Sequence, residues 1–282
     1  MSVARGRHNH WWRRAAQATL DLLLLNGAIA RLSYRCGLHG ALSVTEHSVT
    51  LAGPRLARPL KIAFASDFHA GPSTDPAIFA CLFAELERQA PDLLLLGGDF
   101  VNSRAGALAQ LVDGIARCQA PLGKFAVLGN HDLWSDEDHL RRGLAGAGVQ
   151  VLVNRNCALP APFEALSVCG MDDPWTGQAD GAATFAGAGP IRILLMHAPD
   201  GLLLLGAEKF DVGFAGHTHG GQVARRDGRP IVVPHGPLSR QYCYGHYALA
   251  DKGSLVVSRG VGCSTLPLRI NADPELVLCT LY

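Results

Sequence analysis

The sequence predicts an α/β protein. Three observations carry that reading: short apolar runs recur along the chain, helical patterns separate them in the first half, and the second half is strand-rich with few helices. The 282 residues are 48% apolar and 17% charged. A chain of that length buries about 70–75% of its unfolded surface, and the apolar content offsets chain entropy, which excludes disorder as the main state.

At the N-terminus, Trp11-Trp12-Arg13-Arg14 leads into Ala15 to Ala30, a mostly apolar stretch interrupted by Asp21. Its longest uncharged core, Leu22 to Ala30, is far shorter than the ~20 residues of a spanning helix. On a helical wheel Arg13, Arg14, Gln17, Asp21, Arg31 and Arg35 share one side, and Leu20, Leu24, Ala28 and Leu32 lie largely opposite. Residues 1–40 are therefore expected to form an amphipathic segment, either a membrane-interface anchor or a helix packed on the domain's own core. An export signal built on the arginine pair is the third reading.

Residues 41–282 read as one catalytic domain. Leu42–Thr45 and Ser48–Leu51 are expected to be short strands around Glu46-His47, closed by Gly53-Pro54. Apolar runs then follow at 61–66, 92–97, 124–129, 149–153, 165–170, 191–197, 211–216, 221–224, 230–233, 254–258 and 275–281. Thr74-Asp75-Pro76 caps a helix reaching about Gln89, and further helices are expected near 104–118 and 136–147.

Charge and cysteine usage narrow the setting. The net charge of +1 argues against a surface built for a polyanion, so no nucleic acid is expected as partner. The charge is unevenly spread: six arginines against Asp21 give residues 1–40 a charge of +5, leaving −4 for the rest. Eight cysteines without C-x-x-C or regular spacing point to a reducing, cytosolic setting.

Chemistry enters immediately after the apolar runs. Run 61–66 ends in Asp67-Phe68-His69, run 92–97 in Gly98-Asp99, and run 124–129 in Asn130-His131-Asp132. Later, Ile193–Met196 ends in His197, and Val212–Ala215 ends in Gly216-His217-Thr218-His219. Sites in α/β sheets form at the carboxyl ends of strands, so these groups can converge on one crevice. Two carboxylates, one amide and four imidazoles, with His131 in addition, are too many donors for one tetrahedral zinc. They suit two five- or six-coordinate cations sharing a carboxylate.

These blocks, in this order, resemble the calcineurin-like metallophosphoesterase superfamily over about residues 60–282. Ser66-Asp67-Phe68-His69-Ala70-Gly71, Gly216-His217-Thr218-His219-Gly220-Gly221-Gln222 and the closing Ser258-Arg259-Gly260-Val261-Gly262 … Pro267-Leu268-Arg269 … Pro274-Glu275 are similar to its bacterial membrane-associated branch. That branch includes phosphodiesterases and UDP-2,3-diacylglucosamine pyrophosphatases. The resemblance implies a four-layer α/β/β/α sandwich. It implies one metal on Asp67, His69, Asp99 and His219 and a second on Asp99, Asn130, His197 and His217, with a water or hydroxide between them attacking phosphorus in line. Mn2+ is the foremost candidate, with Fe or Zn2+ also suited to the donors.

The resemblance also implies that His131 hydrogen-bonds the phosphoryl group or protonates the leaving oxygen. Many members carry an acid or histidine three positions after the bridging Asp; here that residue is Asn102, which can orient His131 but cannot hold its cation by charge. The result is a weaker general acid, suited to good leaving groups such as pyrophosphates or aryl esters. Arg240, Arg259 and Arg269 are candidate substrate-phosphate binders.

The substrate implied is a phosphoester or pyrophosphate, lipid-linked in the narrower reading, met at the inner face of the membrane by a peripheral cytoplasmic protein. The competing readings are a non-catalytic scaffold of the same fold and a phosphoprotein phosphatase. Gly98-Asp99-Phe100-Val101-Asn102-Ser103 lacks the arginine-bearing block of the latter.

Overall fold

Leu60, Ile62 and Phe64 alternate along one strand with Ala63 and Ala65, and both sets are fully buried. A strand's side chains alternate between faces, so a run buried on both faces must lie inside a layered α/β fold. The structure, a computed structural model, describes residues 19–53, 56–234 and 236–282.

Its strands are β1 (Ser43–Val49), β2 (Leu60–Ala65), β3 (Leu93–Leu96), β4 (Lys124–Ala126), β5 (Val149–Val151), β6 (Arg155–Ala158), β7 (Leu166–Gly170), β8 (Ile191–Leu195), β9 (Val212–Ala215), β10 (Gly245–Leu249), β11 (Gly253–Val257) and β12 (Glu275–Leu281). They form two six-stranded sheets, ordered β1-β12-β2-β3-β4-β5 and β10-β11-β9-β8-β7-β6. Strands β2 to β5 are mutually parallel, as are β7, β8, β9 and β11. Chain order thus explains the change of pattern at mid-sequence: each half builds most of one sheet.

The sheets pack face to face through Leu60, Ile62, Phe64, Leu93 and Leu95 of one and Val168, Ile193, Leu195, Val212 and Phe214 of the other. Phe64 meets Phe214 at 5.3 Å between ring centroids. Each such side chain contributes about 1.5–3 kcal/mol on burial.

Three helices cover the outer face of the first sheet: α2 (Ala77–Gln89), α3 (Ala109–Arg117) and α5 (Glu137–Gly146), following the short N-terminal α1 (Ala28–Arg35) and the one-turn α4 (Asn130–Leu133). Asp75 accepts from the Ala77 amide at 2.8 Å, which secures the start of α2. Over the second sheet the cover is thinner, formed by α6 (Gly181–Phe185) and a 3-10 turn at Pro199–Leu204. The result is the four-layer α/β/β/α arrangement.

Three expectations need correction. In place of the two expected strands the chain forms one, β1 (Ser43–Val49), paired in parallel with β12; Glu46 and His47 continue an edge strand whose outer positions tolerate polar groups. Residues 221–224 and 230–233 make only isolated bridges, Val223 with Ile270 and Ala224 with Pro230.

The single helical wheel through residues 13–35 also fails. Of it, Arg13, Arg14 and Gln17 lie outside the described residues, and Leu25, Asn26 and Gly27 take φ of 49°, 50° and 97°. Asn-Gly is a helix-ending pair, and the break rotates α1 away from the preceding turn. Asp21, expected on the solvent side, is buried and paired with Arg104 at 2.9 Å, while Leu22, Leu23, Leu25 and Leu32 are exposed. Among the described residues no helix is long and apolar enough to cross a membrane. All eight cysteines are free thiols.

Candidate metal centre

The ladder between β2 and β3 continues past the strands. Asp67 donates its amide to Gly98, His69 to Asp99 and Ala70 to Phe100. Phe68 and Phe100 stack at 5.3 Å with rings nearly parallel, fixing the two segments against the helix-side core. Their neighbours Asp67, His69 and Asp99 turn to the other side, where the ends of β4, β8 and β9 deliver Asn130, His197, His217 and His219. All seven are buried.

The backbone that achieves this is unusual. Asp67, His69, Asp99, His217 and His219 all have φ between 44° and 69°, the left-handed region that costs side-chain-bearing residues about 1–3 kcal/mol each. Glycine makes the close approach possible at two points. A Cβ on Gly98, at φ 88°, would strike the Gly129 backbone, and one on Gly129 would strike the Asp99 carboxylate and the His197 ring.

The donors fall into two sets that meet at Asp99. In the first, His69 Nε2 stands 3.0 Å from His219 Nε2 and 3.4 Å from Asp99 Oδ2, and His219 Nε2 lies 3.6 Å from Asp67 Oδ1. In the second, His197 Nε2 lies 3.4 Å from Asp99 Oδ2, 3.1 Å from Asn130 Oδ1 and 3.2 Å from His217 Nδ1. Asp67-His69-His219 and Asp99-His197-His217 each bring their ligand atoms within 4.8 Å of one another.

Backbone groups orient the donors. The His197 Nδ1–H donates to the Gly97 carbonyl at 2.8 Å, which directs Nε2 inward. Asp67 accepts from the Ser66 hydroxyl and, with both oxygens, from the His217 amide, tying the ends of the two sheets together.

The electrostatics fit a cation site. Burial lowers the His69 imidazole to about 3 and raises the Asp67 carboxyl to about 6. Burial works against the charge on Asp99, but the His197 and His131 imidazoles hold it well below the usual carboxylate range. His197 is in turn raised by Asp99 against the cost of its own burial. Buried carboxylate oxygens and imidazole nitrogens converging on one space suit a cation, which would take the place of the proton that Asp99 favours on His197. The donor set therefore fits two divalent ions.

The centre forms the floor of a cleft of about 410 Å³ lined by His69, Asp99, Asn130, His131, His217 and His219, with Trp134, Trp175, Thr176, Pro234 and Ser264 above them. The last five were missed in the sequence. Trp134 lies three residues after His131, its ring 4.7 Å away, and that helical spacing could have marked it. Trp175 and Thr176 reach the cleft because buried Asp173 accepts from both their amides, building a turn beyond β7.

Two assignments change. His131 donates from Nδ1 to the main-chain carbonyl of Asn102 at 2.6 Å, so the Asn102 side chain is not what orients it. The buried Asn102 side chain instead interacts with the His69 imidazole of the first donor set.

The three arginines are not among the cleft-lining residues. Arg240 is exposed, and Arg259 pairs with Glu275 at 3.1 Å and bonds the Ser43 hydroxyl. Arg269 is buried in a cage of carbonyls from Gly262, Ala272, Arg259 and His219, with Nη2 3.3 Å from His219 Nδ1. Its donors are engaged, and it supports His219 from behind, where burial and the charges of His69 and Arg269 keep that imidazole neutral.

The model of the calcineurin-like phosphoesterase family matches residues 60–221. The chain is 32% identical over 278 residues to phosphodiesterase YaeI of Escherichia coli, covering 95% of this chain and 98% of that protein. It is 29% identical over 247 residues to the uncharacterized metallophosphoesterase YkuE of Bacillus subtilis, with 85% of each covered. An uncharacterized metallophosphoesterase of Aquifex aeolicus is 32% identical over 232 residues, covering 79% of this chain and 85% of that one. With its two donor sets meeting at Asp99, the chain belongs to the calcineurin-like phosphoesterase family and is a metal-dependent phosphate-ester hydrolase.

Proposed function

We propose that the chain hydrolyses a phosphodiester or pyrophosphate bond. The observation that carries this is the buried donor constellation: seven side chains from five strand ends, in two sets sharing Asp99. Asp67, His69, Asp99 and His219 would hold one cation and Asp99, Asn130, His197 and His217 the other. When bound, such ions act as Lewis acids toward phosphoryl oxygens and lower the pKa of water, Mn2+ being the foremost candidate. The complete donor set speaks against a mere scaffold.

His131 is half-buried on the cleft wall. A carbonyl only accepts, so its bond to Asn102 fixes the proton on Nδ1 and leaves Nε2 to exchange the proton needed by the leaving oxygen. The Nδ1 partner is a neutral carbonyl rather than a carboxylate, so this imidazole's part in protonating the leaving oxygen is the smaller one, which favours pyrophosphates and aryl esters. Trp134 and Trp175 give the cleft aromatic walls suited to such groups.

The finer reading is a lipid-linked nucleotide such as UDP-2,3-diacylglucosamine, reached from the cytoplasmic face of the membrane with residues 1–40 as an interface anchor. Their charge of +5 and the exposed Leu22, Leu23, Leu25 and Leu32 support it. The test is a substrate panel on chelator-stripped protein with Mn2+, Fe2+ or Zn2+ added back. Metal-restored hydrolysis of phosphodiesters or pyrophosphates is expected. Metal-dependent release of phosphate from monoesters alone would overturn the proposal.

A further inference from the structure

Exposed apolar side chains gather at the mouth of the cleft. Pro234 and Ser264 line the cleft, and two residues from them stand Val232 and Leu266, 68% and 53% exposed. Ile231 and Ile270 are 56% and 46% exposed. The four are held as one surface by backbone bonds: Ile231 donates to Val223, which bridges Ile270, and Ile270 donates to Gln222, whose side chain bonds the carbonyls of Ser264 and Leu266. Leu38, 52% exposed, joins this edge because its carbonyl accepts from the Arg269 amide at 2.8 Å.

The same segment carries positive charge. Between Ala224 and Pro230 the chain makes a tight turn, closed by the Arg225 amide on the Arg229 carbonyl with Gly228 at φ 79°. Arg225, Arg226 and Arg229 are exposed on it. Asp227, 3.8 Å from Arg229, and exposed Asp273 near Gly40 are the acids at hand.

We propose that this lip docks on an anionic lipid surface. Ile231, Val232, Leu266 and Ile270 enter the headgroup boundary, the three arginines meet lipid phosphates, and the cleft opens onto the bilayer. Exposed apolar clusters rimmed by guanidinium groups are what binds such surfaces, through apolar burial plus attraction to anionic headgroups. A second copy is a poorer occupant, since a two-fold contact through this lip gathers two arginine turns at one interface. The lip's relevance to catalysis rests on the hydrolase reading above; the docking itself does not.

The test is co-sedimentation of the full-length protein with phosphatidylglycerol-containing and pure phosphatidylcholine vesicles, at low and high salt. Ile231→Asp/Val232→Asp and Arg225→Glu/Arg226→Glu serve as variants, with melting temperature and hydrolysis of bis(4-nitrophenyl) phosphate as controls. Wild type is expected to sediment with the anionic vesicles and to be released by salt. Each variant is expected to lose binding about fivefold or more while keeping both controls.

Binding by the folded variants equal to that of wild type overturns the proposal, as does indifference to lipid charge. Self-association of wild type that the same substitutions abolish would assign the lip to a second copy instead. If wild type binds vesicles but hydrolyses no phosphodiester, the function reading fails and the docking stands.

Discussion

The floor of the cleft and its lip are built on opposite principles. On the floor, seven polar side chains are buried at strand ends, five of them on left-handed backbone, and hydrogen bonds and close glycine contacts fix them. On the lip, apolar side chains face solvent on segments bridged by a few backbone bonds. The comparison teaches that precision is spent where donors must converge to within a few ångströms, while the entrance is specified only in composition. Substitutions should therefore divide sharply between the two.

The largest effect is expected at Asp99, where the donor sets meet. Asp99→Asn should lower kcat for a soluble phosphodiester by about 10³-fold or more, read by steady-state kinetics at saturating Mn2+. Gly129→Ala comes next, because its methyl collides with Asp99 and His197; about 10²-fold loss is expected with the melting temperature little changed. Arg269→Met should weaken metal affinity by about 10–100-fold, because it removes the bonds to the His219, Gly262 and Ala272 carbonyls that hold the His219 backbone in place, seen as a raised Mn2+ concentration for half-maximal activity. A substrate-binding arginine would raise KM instead.

Asn102→Ala should leave the acid limb of the pH–rate profile unmoved, because His131 is held by a main-chain carbonyl, while the loss of the side-chain interaction with His69 should raise the Mn2+ concentration needed for activity. A shifted acid limb would return the role to the side chain.

The smallest effect on activity belongs beside the lip, at His39. This residue adjoins Leu38, is fully buried and is lowered by burial to about 4. The unfolded chain, at 6.5, takes up a proton that the fold refuses, so this contribution is intact above 6.5 and is lost as pH falls toward 4. Up to about 3 kcal/mol should disappear over that window. Urea unfolding of His39→Leu at both ends of it should show a shallower pH dependence than wild type, with hydrolysis at neutral pH unchanged.

The floor was legible in the sequence because each donor follows an apolar run at a strand's carboxyl end, and local order alone conveys that. The layers were legible for the same reason: Leu93 to Leu96 is apolar on both faces and must be central. What failed depended on tertiary placement. Arg269 looks like any loop arginine until its carbonyl cage is seen, and Asn102 holds His131 through an atom every residue possesses.

The break at Leu25–Gly27 was written in Asn26-Gly27 but was outweighed by the apolar periodicity around it. Ile231-Val232 read as a strand because β-branched residues favour pleated structure; solvent exposure made it a lip.

The central claim is a two-cation site pivoting on Asp99. Calorimetric titration of chelator-stripped protein with Mn2+, paired with elemental analysis of the loaded protein, tests it most directly. Two ions per chain are predicted for wild type, with hydrolysis appearing as the second binds, and at most one for Asp99→Asn. A single ion in wild type, or equal occupancy in the folded variant, would contradict the account.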